Sequence, residues 1–272
     1  VGPYDRKYSL CGVAGAGGYE LAILREDAGR GGSRHLHEVL REGALLKLRG
    51  PHNLFRLDES APFHLLIAGG IGITPILTMA DRLKALGRRY AIHYAGRGRA
   101  TMAFLDRLGA DHGPAFHVYP ADEGARADLG ALLAGLPDGG QIYACGPSRM
   151  IAALEDLAAD LPEGSLHVEH FATELGTLDP AREQAFEVEL ADSGLVVPVP
   201  ADTTVMDAIR AAGIDVASDC CEGLCGSCEV QVIAGEIDHR DRVLSRAERA
   251  ANTRMMTCCS RAKHGGRLTL AL

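Results

Sequence analysis

A multidomain chain of three successive blocks is predicted, with a strand-rich first block, a parallel α/β second block and a small α+β third block. Three observations predict it. Short apolar-alternating stretches surround a glycine loop in residues 1–60, strand-like and helical runs alternate from 61 to 171, and six of the eight cysteines crowd into the last fifty-odd residues. Strand and helix in alternation imply a parallel sheet covered on both faces, with ligands at the C-terminal ends of the strands.

In the first block, residues 7–11, 19–25 and 44–48 carry strand patterns. Between the last two lies GRGGS at 29–33, followed by RHLHEVLREG. Ser33 is expected to cap a short helix in which Leu36, Val39 and Leu40 recur at helical spacing, with Gly43 as its stop.

In the second block HLLIAGG, YAIHYAG, AFHVYP, QIYACGP and SLHVEHF read as strands, and PILTMADRLKALG, TMAFLDRLG, DLGALLAGL and SRMIAALEDLAADL as the helices between them. A connection over 172–183, with Thr177, Asp179 and Pro180, offers little to bury and leads to a third block at 184–272. There FEVELADSGLVVPVP reads as a hairpin turning at Asp192, Ser193 and Gly194, and TTVMDAIRAAG as a helix opening after Asp202.

Twenty-eight Lys and Arg against 36 Asp and Glu give a net charge of −8 and no basic stripe for nucleic acid. The longest uncharged apolar stretch, residues 65–80, is broken by Gly69, Gly70, Gly72 and Pro75 and is too short to span a bilayer. Neither a signal-peptide core nor a start methionine opens the chain, so it is expected to begin inside a longer gene product. Clustered cysteines suit a metal site in a reducing, cytoplasmic compartment better than a disulfide framework.

Cys220, Cys225 and Cys228 stand at C-x4-C-x2-C, and Cys258 follows after 29 residues. This is the plant-type spacing for a 2Fe-2S cluster. Gly223 and Gly226 permit the tight turns by which three thiolates converge, and the fourth arrives from a distant strand. Cys221 and Cys259 are adjacent competitors that the spacing leaves out. A zinc knuckle, the alternative, usually shows two C-x2-C pairs where this chain has one.

DCCEGLCGSCEVQVIAGEIDHRDRVLS and ERAANTRMMTCCSRA, with DHRD at 238–241 and CSRA at 259–262, resemble the ferredoxin domain of the phthalate dioxygenase reductase family, which includes vanillate demethylase reductases. The resemblance implies an antiparallel flavin-binding barrel at 1–60, a nicotinamide domain at 61–171 and a β-grasp ferredoxin domain at 184–272. Arg6, Tyr8 and Ser9 in RKYSL match the R-x-Y-[ST] motif of the wider ferredoxin-reductase superfamily, in which arginine meets the flavin phosphate, tyrosine stacks on the ring and the hydroxyl faces the nitrogen receiving hydride. Gly31, Gly32 and Ser33 are expected at that phosphate, because a helix N-terminus favours an anion. FMN is the flavin the family implies, with FAD as the alternative. Arg25 is either a flavin contact or a solvated arginine, while His35 and His37 are read as helix-surface or packing residues.

AGGIGITP at 68–75 lies where a pyrophosphate loop belongs, with Gly70, Gly72, Thr74 and Pro75 shaping it. ACGPSRM resembles the superfamily's CGP motif, which places Cys145, Gly146 and Pro147 beside the nicotinamide, and Phe171 matches an aromatic that covers the flavin. Ser9, Cys145 and Phe171 are therefore the residues expected around hydride transfer. Cys145 as a nucleophile is the lesser reading, with no paired histidine evident. Arg97 or Arg99 follows the second strand and could in principle pair with a 2′-phosphate, yet the family implies NADH.

Taken together, these parts predict NADH oxidation coupled to single-electron export, since a flavin accepts two electrons and releases them one at a time. The recipient the resemblance implies is a terminal oxygenase with a Rieske centre and non-haem iron; a reductase segment of a larger self-sufficient oxygenase or dehalogenase is the alternative. Thirteen acidic against nine basic residues in 184–272 suit a basic docking face on that partner. Because the RKYSL motif falls in the second half of the barrel in relatives, residues 1–58 are expected to form an incomplete barrel with an exposed edge.

Overall fold

A computed structural model describes residues 6–14, 17–27, 29, 31–171 and 178–272. Arg30 of the glycine loop and residues 172–177 of the expected connection, Thr177 included, lie outside the described residues. The chain divides into two compact units, Val1–Phe171 and Ala172–Leu272.

The first unit opens with an antiparallel hairpin of β1 (Leu10–Ala14) and β2 (Gly18–Leu21), followed by helix α1 (Gly32–Val39). Three local expectations are corrected here. Gly31, at φ 84°, is the N-cap of α1, so Ser33 stands inside the helix; its Oγ instead accepts from the Glu26 amide at 3.1 Å. The helix ends at Val39, because Leu40 is already extended, and not at Gly43. Residues 44–48 form no strand. A strand is defined by its neighbour's hydrogen bonds, and this stretch has no ladder partner among the described residues, which leaves Leu45 98% and Leu48 62% exposed. No closed barrel exists among the described residues of 6–58.

Beyond this, β3 (His64–Gly69), β4 (Tyr90–Gly96), β5 (Phe116–Pro120), β6 (Gln141–Cys145) and β7 (Leu166–Glu169) form one parallel sheet in the order β5-β4-β3-β6-β7. Leu66 and Ala68 face one core and Leu65 and Ile67 the other, as the pleat requires. The first core packs against α2 (Ile73–Ala85), α3 (Leu105–His112) and Cys11 of the hairpin. The second packs against α4 (Leu129–Ala134) and α5 (Ser148–Leu157). Arg107 ties hairpin to sheet domain, pairing with Glu20 at 3.0 Å and Asp81 at 2.8 Å. The strand order reverses between β3 and β6, the position at whose C-terminal strand ends sheets of this kind bind ligands.

The second unit is a β-grasp. β8 (Phe186–Leu190) and β9 (Leu195–Val199) make the hairpin. α6 (Val205–Ala211) follows, capped by Thr204 Oγ1, which accepts from the Asp207 amide, so the helix opens two residues later than expected. β10 (Glu229–Ala234), β12 (Arg254–Met256) and β14 (Leu268–Leu270) complete a sheet in the order β12-β10-β14-β8-β9, with β14 parallel to β8. β11 (Ile237–Asp238) pairs separately with β13 (Arg261–Ala262), and α7 (Arg246–Ala251) lies between them in sequence, closed by a capping box of Ser245 and Glu248. Among the described residues no helix is long and apolar enough to cross a membrane.

Candidate functional site

The cysteine loop runs from the end of α6 into β10. Gly223 and Gly226 adopt φ 67° and 77°, left-handed backbone that glycine takes without a Cβ clash. Within the loop, the Cys220 amide donates to Cys225 Sγ at 3.4 Å, and the amides of Glu222 and Leu224 donate to Cys220 Sγ at 3.3 and 3.4 Å. Inward-facing amides of this kind stabilise sulfur that carries negative charge. The thiols of Cys220 and Cys225 lie together, while that of Cys258 lies against both Cys228 and its neighbour Cys259. Burial works against a Cys225 thiolate, yet contacts with Ser227 and Cys220 outweigh it and hold that thiol down at about 7. The bond to Cys258, with burial, pushes Cys228 up.

Amides turned onto the sulfurs of a C-x4-C-x2-C loop suit a 2Fe-2S cluster, whose sulfurs carry the charge those amides neutralise. Among the described residues no group of three or more His, Cys, Asp or Glu side chains gathers around one ion. Cys221 is exposed at φ 54°, whereas Cys259 is buried, its thiol donating to the Met256 carbonyl at 3.7 Å.

Around α1, the side chain of Arg6 lies against Gly32, where a Cβ would stand 2.8 Å from Arg6 Nε. The guanidinium is thereby brought to the helix N-terminus together with Gly31, Gly32 and Ser33. Such a place, where amide donors and a cation converge, holds a phosphate well. Tyr8 is half-buried beside it. Arg25 is not drawn in: it is exposed and pairs with Asp27 at 2.8 Å and Glu38 at 3.7 Å. His37 packs through a 2.8 Å bond between Nε2 and the Ile23 carbonyl.

At these strand ends, the glycine loop after β3 and the CGP turn after β6 touch. A Cβ on Gly72 would collide with the carbonyl of Cys145 and stand 2.8 Å from the Gly146 nitrogen, and one on Gly69 would strike Pro147 at 2.6 Å. Gly70 is left-handed at φ 55°, Thr74 Oγ1 donates to the Ile71 carbonyl at 3.0 Å, and Pro75 sits in the first turn of α2, where no intrahelical amide bond is lost. Pro147 is the N-cap of α5.

Cys145 ends β6 fully buried, in register with Ala68 on one side and Glu169 on the other. Burial, then the charge of Glu169, pushes its thiol well up, so Cys145 stays a neutral packing group. Ser9 reaches this place, its hydroxyl donating to Glu169 Oε2 at 3.0 Å. Burial raises the Glu169 carboxyl and the Ser9 bond only partly opposes it. Phe171, half-exposed, lies two residues beyond Glu169.

Sequence reasoning missed Glu169. Its signal was a carboxylate within the strand-like run SLHVEHF, where a buried acid needs a partner. It also missed Asp122 and Glu123. After β5, the Asp122 amide donates to the Arg97 carbonyl at 2.9 Å and its carboxylate packs on Gly98, while Arg99 forks onto Glu123 at 2.8 and 3.3 Å. Arg97 itself is exposed.

Residues 188–263 match the 2Fe-2S iron-sulfur cluster binding domain family, and residues 46–163 the N-terminal domain of dimethylamine monooxygenase subunit DmmA-like proteins. The chain is 47% identical over 246 residues to the phenoxybenzoate dioxygenase subunit beta of Ectopseudomonas oleovorans, which takes in 90% of this chain and 76% of that one. It is 35% identical to phthalate dioxygenase reductase, whose structure is described as modular for electron transfer from pyridine nucleotides to 2Fe-2S. The TM-score is 0.66, over 98% of this chain and 83% of that one. The chain belongs to the phthalate dioxygenase reductase family. As such a reductase it is an oxidoreductase that carries electrons through a flavin- and nucleotide-binding fold and a 2Fe-2S domain to an oxygenase component. The reductase is also 54% identical, at a TM-score of 0.84 over 100% of its length, to part of an intact type IV self-sufficient cytochrome P450 monooxygenase. It spans 35% of that chain.

Proposed function

We propose that this chain takes hydride from NADH onto FMN and passes electrons singly through a 2Fe-2S cluster held by Cys220, Cys225, Cys228 and Cys258 to an oxygenase in the cytoplasm. The observation that carries the reading is the cysteine loop itself, in which the amides of Glu222 and Leu224 face Cys220 Sγ from both sides of Gly223 and the Cys220 amide faces Cys225 Sγ. In this reading the domains are the flavin part at 1–60, the nicotinamide part at 61–171, the connection at 172–183 and the ferredoxin part at 184–272.

A flavin supplies the switch from two-electron to one-electron chemistry, and the residues at hand supply its surroundings. Arg6, Gly31, Gly32 and Ser33 would hold its phosphate, and Tyr8 would supply an aromatic face beside it. Ser9, oriented by Glu169, would supply a hydroxyl to the flavin. The Gly70–Gly72 loop, Thr74 and Pro75 shape the nucleotide crevice, with Cys145, Gly146 and Pro147 flooring it and Phe171 closing it. FMN is favoured because one terminal phosphate is what a single guanidinium and one helix N-terminus accommodate.

NADH is favoured over NADPH by the carboxylates of Asp122 and Glu123. Arg99 already forks onto Glu123, so a 2′-phosphate in this loop would meet acidic groups with only Arg97 to answer them.

Purified protein should show flavin bands over broad iron-sulfur absorbance, bleached faster by NADH than by NADPH, and should release FMN on denaturation. A colourless protein, or one bleached equally by both nucleotides, would refute the corresponding part. The family points to a Rieske, non-haem iron oxygenase as acceptor. A haem monooxygenase is the second reading, favoured by 54% identity to the self-sufficient cytochrome P450 against 35% to phthalate dioxygenase reductase. Rates of cluster reoxidation by a Rieske oxygenase and by a P450 haem domain decide between them.

A further inference from the structure

The DHRD motif at 238–241 and the SRA ending at 260–262 touch no cofactor in the reading above, yet they meet in one half-buried knot of the second unit. Asp238 on β11 and Arg261 on β13 are cross-strand partners. Arg240 forks onto Glu183, Nη1 donating to Oε1 at 2.6 Å and Nη2 to Oε2 at 2.9 Å, while its Nε donates to Asp238 at 2.8 Å. Arg261, 2% exposed, reaches the same Glu183 carboxylate at 3.3 Å and lies over the Phe186 ring at 4.9 Å. It also donates to the carbonyls of Thr203, Gln184 and Pro200. A bidentate fork backed by a second, buried guanidinium fixes geometry in a way that a single exposed ion pair does not. Glu183 is pinned at the start of the β-grasp.

The next residue faces the other way. Asp241 is 1% exposed, and its Oδ2 accepts from the amides of Val243 at 3.0 Å and Leu244 at 2.8 Å, while its carbonyl accepts from Arg249 Nη2 at 2.7 Å. The turn built on that carboxylate aims the Arg242 amide at the Gly223 carbonyl, 2.8 Å away in the cysteine loop. Gly223 lies between Glu222 and Leu224, whose amides face Cys220 Sγ. Ser260, two residues after Cys258, joins both halves: its Oγ accepts from the Arg240 amide at 3.2 Å and donates to Asp241 Oδ1 at 3.5 Å.

We propose that residues 238–244 are a brace that makes Glu183 and the cluster loop one mechanical body, with Arg240 and Asp241 as positioning residues for the cluster ligands. The proposal rests on the assignment of Cys220, Cys225, Cys228 and Cys258 as those ligands. Its consequence is that a disturbance where the chain enters the β-grasp reaches the amides around Gly223. Hydrogen bonds to the sulfurs set the cluster's potential.

The test uses the full chain with its cluster, in the variants Glu183→Gln, Arg240→Lys, Asp241→Asn and the double variant Glu183→Gln with Asp241→Asn. Readouts are the electron paramagnetic resonance g-values of the reduced cluster, its midpoint potential and the rate of iron release to a chelator. Asp241→Asn should shift g-values and potential and speed release about tenfold, the scale of outer-shell losses. Glu183→Gln and Arg240→Lys should move the same readouts in the same direction by less, and the double variant should fall short of the combined single effects. Wild-type spectra, potential and release in both Glu183→Gln and Arg240→Lys overturn the brace, even if Asp241→Asn does not fold. An unshifted Asp241→Asn overturns it as well. Failure of the ligand assignment is separable: Cys225→Ser would then keep the wild-type cluster spectrum.

Discussion

The proposed cluster loop and the proposed phosphate cradle rest on different foundations. Around the cysteines, β8, β9, β10, β12, β14 and α6 enclose a core in which Met255, Leu268 and Leu270 are fully buried, so every proposed ligand is positioned by its own unit. The cradle rests on a two-stranded hairpin and one eight-residue helix, and Leu45, Leu48 and Leu54, which follow that helix in sequence, are 98%, 62% and 58% exposed. A site set by local spacing inside a closed core tolerates no ligand loss. A site gathered from separated segments loses affinity by degrees.

The largest expected effect follows from the first half of that contrast. Cys225→Ser should abolish electron delivery to a one-electron protein acceptor while leaving flavin reduction by NADH nearly intact, because no neighbouring thiol can take its place in the loop. Cys221→Ser should keep the cluster, since that side chain is exposed in left-handed backbone. Iron analysis and cytochrome c reduction read both outcomes, and loss of iron from the Cys221 variant would put Cys221 in place of its neighbour Cys220 as a ligand.

Second in size is Gly72→Ala. The added methyl would meet the backbone of Cys145 and Gly146, which cannot swing aside as a side chain does. Overpacking of this kind costs about 1–3 kcal/mol. The melting temperature of the first unit should fall and the KM for NADH rise. An unchanged KM would remove the glycine loop from the nucleotide site.

Arg6→Ala tests the cradle. Removing one charged hydrogen-bonding partner of a phosphate costs about 1.5–3 kcal/mol, so flavin should dissociate roughly tenfold or more readily while the cluster stays untouched. Equilibrium dialysis of flavin measures this, and unaltered retention would move the phosphate elsewhere.

These contrasts track what could be read from the sequence. The tight loop from Cys220 to Cys228 was legible because its turns are encoded within a few residues, whereas Cys258 came only from the plant-type spacing rule; the β3-to-β7 alternation was legible because period and turn chemistry agreed along the whole segment. Ser33 was misread as a cap because serine's usual preference was overruled by Gly31 in left-handed backbone. Residues 44–48 were misread because apolar alternation states only that a segment could pair, and pairing requires a neighbour. Glu169 and Glu183 were invisible for another reason. Their partners, Ser9 and Arg240, lie 160 and 57 residues away, and a single sequence does not show which distant groups a carboxylate will meet.

The smallest expected effect concerns Glu169, and only its dependence on pH. Burial holds this carboxyl above the ordinary carboxylate range, and the Ser9 hydroxyl relieves the ionised form only in part. A raised acid is the neutral species in the folded protein over an interval where the unfolded chain has already ionised. Across that interval the unfolded state binds fewer protons, so stability falls as pH rises, and above the raised value the loss is complete and constant. Glu169→Gln keeps an acceptor for Ser9 and cannot ionise. The melting temperatures of wild type and variant should therefore diverge in the variant's favour as pH climbs out of the carboxylate range, and then run parallel. Flavin reduction by NADH, followed by stopped flow, should keep its rate at low pH in the variant and lose any pH-dependent limb that wild type shows over the same interval. Parallel profiles throughout would mean that Glu169 does not titrate beside the reacting groups, and Ser9 would then be oriented by a carboxylate that takes no part in the chemistry.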